Sequence, residues 1–193
     1  MIEAEIRGPV AKKEYEKLKR LLETAGEHLY SGYHIDLAYA DKGYNNREVR
    51  LEYKNGVARI FVRIGRVGER EEIETKLADG EFSGAVKMFA ELGYKKGTVT
   101  AQKVFAARYG GALFSLYDPD GESMHYEAVI SVQNPTEAKE AKQKLEKLAR
   151  NFKLPLWSTL DMLEFGKRLH QSLNSMYDYD TDGPEHFKNK FGL

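Results

Sequence analysis

Ile2-Glu3-Ala4-Glu5-Ile6-Arg7-Gly8 is the stretch from which the rest of the chain is read. Side chains alternate across a β-strand, so Ile2, Ala4 and Ile6 share one face while Glu3, Glu5 and Arg7 share the other. Two carboxylates about two residue rises apart, with a guanidinium next in the row, can bind a hard divalent cation and the anion that it carries. The charged face of an edge strand normally meets water, so the weight of this stretch lies in its recurrence. Arg70-Glu71-Glu72-Ile73-Glu74 repeats the spacing, and a third strand keeps one acid of the pair, Glu127, with Val129 in the second place.

Composition narrows the classes. A chain of 193 residues holds one ordinary domain or two small ones and can bury a real core. Hydrophobic residues at 41% and charged residues at 31% place it among globular proteins rather than disordered ones. Thirty basic residues balance thirty acidic ones, so the net field selects no nucleic-acid partner. No apolar run reaches membrane-spanning length and Met-Ile-Glu-Ala-Glu lacks the parts of a signal peptide, so a cytoplasmic location with no membrane partner is expected. Zero cysteines exclude disulfides, thiolate zinc sites and a cysteine nucleophile, and the five histidines show no metal-ligand spacing. Any metal site would be built from carboxylates.

Outward from the first strand, Val10 to Ala25 reads as an amphipathic helix with Tyr15, Leu18, Leu21 and Leu22 at helical spacing and Gly26 at its end. Glu27 to Ala40 reads as a strand, and 41–46 as loop. Glu48 to Tyr53 and Val57 to Ile64 flank Asn55-Gly56, the residues a tight hairpin turn requires. Arg70 to Leu77 forms the next strand, Phe82 to Leu92 the second helix, and Thr98 to Tyr109, Ala112 to Asp118 and Met124 to Val132 three further strands. Pro135 opens a helix to about Phe152, and a last helix runs from about Ser158 to Leu173. A Glu-x-Glu strand, a helix and then strands follow one another from Glu3 to Gly26 and again from Glu72 to Gly93, a weak internal duplication. The expected architecture is an α+β domain over residues 1–174, with eight antiparallel strands and flanking helices, and a polar tail over 175–193.

On pattern alone the alternation favours an antiparallel sheet with one wet face over an eight-stranded barrel with a charged lumen. Two details favour the lumen. The polar rows mix Glu and Arg with almost no Ser, Thr or Asn, and small barrels otherwise fill with apolar side chains. Arginine grips phosphate oxygens bidentately, while carboxylates hold a metal bridging those oxygens.

At this point the sequence resembles the CYTH superfamily, the triphosphate tunnel metalloenzymes, over about Ile2 to Leu173. Glu3-x-Glu5-x-Arg7 is similar to the family's Glu-x-Glu-x-Lys signature, and His34-Ile35-Asp36-Leu37-Ala38-Tyr39 to its Asp-x-Tyr strand. Val49-Arg50-Leu51-Glu52 resembles its Leu-Arg-Leu-Arg strand, Arg59 to Arg63 the strand ending in Lys, Arg70-x-Glu72-x-Glu74 its Arg-x-Glu-x-Glu, and His125 to Val129 its late Glu-x-Glu strand. The resemblance implies an eight-stranded tunnel in which Glu3, Glu5 and Glu127 hold Mg²⁺ or Mn²⁺, with Glu72 and Glu74 adding acidic groups. It implies that Arg7, Arg50, Arg63 and Arg70 grip a small-molecule triphosphate, with Lys103 or Arg108 filling a further basic place. Glu5 and Arg7 would then serve catalysis in a monomer or homodimer, through hydrolysis of inorganic tripolyphosphate or a nucleoside triphosphate, or through cyclisation of ATP as in class IV adenylyl cyclases. Departures from the family pattern leave a third reading open, a non-catalytic binder of nucleotide or polyphosphate: Glu52 stands for a second Arg, Val129 for an acid, and Phe105 and Ala107 break the row around Lys103, while Arg7 stands for the signature Lys.

Other constellations have simpler explanations. Asp178-Tyr-Asp180-Thr-Asp182-Gly183 imitates the start of a calcium loop, but Asn189 stands at the twelfth position. The Lys/Glu run from Glu137 to Arg150 reads as the wet face of a helix, and Trp157 as a packing residue.

Overall fold

The computed structural model describes residues 2–40, 47–54, 56–64, 71–78, 80–119, 123–158, 160–162, 164–165, 168 and 175–193. The side chains of Ala40, Arg63, Glu71, Glu72 and Ser175 lie outside that description, as does Arg70 entirely. The chain runs β1 (Ile2–Pro9), α1 (Lys12–Ala25), β2 (Glu27–Ala40), β3 (Arg47–Lys54), β4 (Val57–Ile64), β5 (Glu71–Lys76), α2 (Phe82–Glu91), β6 (Lys96–Tyr109), β7 (Ala112–Asp118), β8 (His125–Val132) and α3 (Pro135–Asn151). It continues through helical residues 160–162, 164–165 and 168 to β9 (Ser175–Asp178), α4 (Tyr179–Asp182) and α5 (His186–Phe191).

The antiparallel ladder has the order β1-β8-β7-β6-β2-β3-β4-β5, with β9 pairing β6. This is the α+β arrangement of eight antiparallel strands that the alternation predicts, with a ninth added. The order also carries the duplication. Strand, helix and three strands (β1, α1, β2–β4) are followed by the same series (β5, α2, β6–β8), and the first strand of each series pairs with the last strand of the other. Lys54 pairs with Val57, and Gly56 between them takes a φ of 79°, while Asn55 lies outside the described residues.

Two compact units share the chain. Met1–Gly32 and Gln102–Gln171 form the first; Tyr33–Ala101 and Ser172–Leu193 form the second. In the first, the apolar face of β1 (Ala4, Ile6) meets Tyr15, Leu18 and Leu22 of α1 and Ala141, Leu145 and Ala149 of α3. The start of α3 is fixed by Asn134, whose side chain accepts the Glu137 N–H at 3.0 Å, while the Glu137 carboxylate accepts the Gln133 N–H at 3.0 Å and Pro135 occupies the first turn. In the second unit, Ile35, Leu37, Val49 and Leu51 pack on Phe82, Ala85, Val86 and Phe89 of α2.

Residues 175–193 depart from the expected polar tail. They supply β9, α4 and α5, and Tyr177 and Phe187 are fully buried in the second core. Their apolar residues sit among aspartates and lysines, so composition hides them, while their burial depends on a partner far earlier in the chain. Asp178, Asp180 and Asp182 cap rather than chelate: Asp178 accepts the Asp180 N–H and pairs with Lys96 at 2.7 Å, and Asp182 accepts the Asp178 N–H at 2.8 Å.

Candidate functional site

Register shows which charged residues meet. In the first unit Glu3 lies opposite Ser131, Glu5 opposite Val129 and Arg7 opposite Glu127. Glu127 in turn faces Ser115 on β7. The Arg7 guanidinium therefore reaches a carboxylate on its own strand and one on the neighbouring strand. It pairs with Glu5, and its Nη2 stands 3.0 Å from Glu127 Oε2. Glu127 is the most shielded of the three, its side chain 12% exposed. Burial alone would weaken the charge on Arg7, but Glu127 and Glu5 more than offset this and hold its pKa above the ordinary value.

The same face continues into an aromatic cluster. His125 is buried and stacks on Tyr117 with ring centroids 4.8 Å apart, meets Phe165 at 4.7 Å and Trp157 at 5.7 Å, and Trp157 meets Phe165 at 4.4 Å. Trp157 is tied to β1 by its N–H, which donates to the Arg7 carbonyl at 2.8 Å, and Tyr126 Oη donates to the Pro155 carbonyl at 2.9 Å. Beside this tether opens a cavity of about 390 Å³. Glu5 and Arg7 line it from β1, Lys142 and Glu146 from α3, and Leu156, Trp157 and Met162 give it an apolar wall. Trp157 thus borders a cavity as well as packing, a role that sequence could have raised only through its being the single tryptophan.

Two of the basic residues expected in this unit stand elsewhere. Lys103 shares its face with Phe105 and Ala107, which are buried in the core, so it lies on the side of the sheet opposite Glu5. Arg108 does share the Glu5 face. It stands three strand spacings from β1, about 14 Å, and pairs with Glu27 at 2.8 Å.

The second unit carries its own charged face. Asp36 lies opposite Glu52, Glu52 opposite Arg59, Glu48 opposite Arg63, and Arg63 opposite Glu72. Arg50 is held by Asp36 and by Glu48, with Arg50 Nε 2.6 Å from Glu48 Oε1. His34 Nε2 is 3.2 Å from Glu52 Oε1, and Arg59 is 3.6 Å from Glu74. Burial holds the Asp36 carboxyl above the usual range despite Arg50 and His34. For Glu52 burial acts in the same direction, but the hydrogen bond and charge of His34, with Lys54 and Arg59, prevail and hold its pKa low. Phe61, 6% exposed, interrupts this charged row between Arg59 and Arg63.

The divalent ion implied by the family resemblance does not fit Glu3, Glu5 and Glu127 as they are arranged around Arg7. Among the described residues no group of three or more His, Asp or Glu is placed to hold a metal. Arg7 stands between Glu5 and Glu127, Val129 occupies the position of a further acid, and Glu3 faces a serine.

No protein-family model matches the chain, and no curated protein does. Solved structures do. A "putative adenylate cyclase" from Vibrio parahaemolyticus is 16% identical with a TM-score of 0.63, over 85% of this chain and 98% of that one. A "putative adenylate cyclase" from Bacillus halodurans is 12% identical with a TM-score of 0.55, over 82% and 93%. A chain of the Schizosaccharomyces pombe Mediator head module is 13% identical with a TM-score of 0.56, over 81% and 98%. Likenesses at such identity concern the fold, and one fold hosts unrelated activities. Together with the strand order, they give this chain a CYTH-like fold.

Proposed function

We propose that the chain binds an organic triphosphate compound, with a nucleoside triphosphate first among the class. The observation that carries this reading is the cavity beside β1, which opens onto both Glu5 and Arg7 and has an apolar wall of Leu156, Trp157 and Met162. A guanidinium that already bridges two carboxylates can exchange one of them for a phosphate oxygen, since its planar fork matches either. The apolar wall and the Trp157 ring give a base or other heteroaromatic group a surface to lie on. Inorganic tripolyphosphate has nothing to place there. Arg7 cannot act as a proton acceptor, so binding is the activity that the residues support without further groups.

A second reading is turnover of the bound compound, by hydrolysis or by cyclisation of ATP. It is favoured by the likeness to two proteins described as putative adenylate cyclases.

Both are tested by one panel. The protein is titrated calorimetrically with ATP, thiamine triphosphate and tripolyphosphate, each with Mg²⁺, Mn²⁺ or EDTA, and the mixtures are assayed for orthophosphate, pyrophosphate and cyclic AMP. The expected result is binding of an organic triphosphate at least about ten-fold tighter than tripolyphosphate, a difference of about 1.4 kcal/mol, with the preference lost in Trp157→Ala. Equal affinity for tripolyphosphate, or no binding of any compound, would overturn it. Orthophosphate release or cyclic AMP formation would promote the second reading.

A further inference from the structure

We infer that Arg7 is the resident cation of the first unit's charged face, and that it excludes a divalent metal from the Glu5–Glu127 pair. The site is built as a charge cluster rather than as a row of separate groups. Glu5 and Arg7 are two residues apart on one strand face, and Glu127 is the cross-strand partner of Arg7. Both carboxylates therefore converge on a single guanidinium. A metal bound to this pair would occupy the ground that the guanidinium holds, and the two positive charges would repel each other. Displacing the guanidinium would strip it of both partners in surroundings where burial already works against its charge.

The position opposite Glu5 adds no ligating side chain, since it is Val129, and the next position on each strand pairs Glu3 with Ser131, which places one acid there rather than two. A lysine in place of Arg7 would present one point charge that could turn aside. The arginine fork engages two acids at once and lets neither go without loss. The resemblance to metalloenzymes thus leads to an expectation that the geometry reverses. One substitution on the signature strand supplies from the chain itself the positive charge that a metal would otherwise bring.

The test uses metal alone, so its outcome is separate from whether any triphosphate binds. Free Mn²⁺ is followed by its paramagnetic resonance signal as protein is added, for the wild type, for Arg7→Met, and for Arg7→Met combined with Glu127→Gln. The wild type should leave Mn²⁺ free. Arg7→Met, which takes the guanidinium from between the two carboxylates, should bind one Mn²⁺ at least about ten-fold tighter, and the double variant should lose it. Thermal melting gives a second measure, since Mn²⁺ should raise the midpoint of Arg7→Met and leave that of the wild type unchanged. If Arg7→Met does not fold, Arg7→Lys takes its place and should bind Mn²⁺ more tightly than the wild type does. Stoichiometric Mn²⁺ binding by the wild type that disappears in Glu127→Gln would overturn the inference without recourse to any Arg7 variant. So would a folded Arg7→Met that binds Mn²⁺ no better than the wild type.

Discussion

Gly8, just past the charged triplet, shows how closely single residues set the site. A methyl group on its α-carbon would stand 1.9 Å from the Pro155 carbonyl oxygen and 2.9 Å from the Tyr126 ring. The space it leaves lets the segment bearing Trp157 lie against β1 and accept the Tyr126 hydroxyl. Gly8→Ala should lower stability by about 1 to 3 kcal/mol through overpacking and shift the emission of Trp157. A melting curve and a fluorescence spectrum from the same sample check both, and unchanged values would mean that the segment does not depend on this contact. At this scale the sequence was partly legible. Alternation alone put Glu5, Arg7 and Glu127 on polar faces, because the period of a strand is two and the apolar partners at Ala4, Ile6 and Ala128 confirm the phase. It could not show that the three meet around one guanidinium, which depends on pairing across some 120 residues, with Arg7 opposite Glu127. Nor could it place Lys103, because Phe105 and Ala107 look like breaks in a charged row until the register shows that they are the core side.

Strands and helices as units carry opposing electrostatic effects that pH can separate. Glu52 on β3 has a depressed pKa in the folded protein, so it stabilises the fold above the ordinary carboxylate range and loses that contribution as pH falls through its folded value. Asp36 on β2 is the reverse: its folded pKa is raised, so the native state loses stability as pH climbs from the ordinary aspartate value through the raised one. Asp36→Asn should remove that loss. Its melting temperature near pH 7 should equal or exceed that of the wild type, and the difference should vanish toward about pH 4, where an unperturbed aspartate protonates. A lower melting temperature at neutral pH would mean that the attraction of Arg50 outweighs the cost of burial. At the C-terminal end, Phe187 of α5 is fully buried and touches Phe82 with ring centroids 5.2 Å apart. Phe187→Ala should cost about 3 to 5 kcal/mol, measured by denaturant unfolding, whereas a loose tail would tolerate it within about 0.5 kcal/mol. The hairpin of β3 and β4, the start of α3 at Pro135 and the first two helices were legible because each is specified by residues within a few positions. Residues 175–193 were not, because the surface that covers Tyr177 and Phe187 comes from β6 and α2.

The whole molecule was legible in class and in its duplication. The repeat seen faintly between Glu3 to Gly26 and Glu72 to Gly93 corresponds to two series that occupy equivalent places in the strand order. The division of the chain into two units was not legible, because each unit is built from two stretches separated in the sequence, Met1–Gly32 with Gln102–Gln171 and Tyr33–Ala101 with Ser172–Leu193. Charge composition could not settle function at this scale either. The neutrality of the chain is repeated locally, where Arg7, Arg50 and Arg59 each have carboxylate partners.

The pairing of β1 with β8 has a consequence for synthesis. Ile2 lies opposite Val132 and Pro9 opposite His125, so β1 leaves the ribosome long before its neighbour β8 exists. Until then Ala4 and Ile6 lack α3 and much of their core, and Arg7 has Glu5 but not Glu127. The residues of β1 are therefore among the last of these strands to reach their final surroundings. A nascent chain stalled before β8 would expose an unpaired strand edge, the kind of surface on which chaperones and aggregation compete.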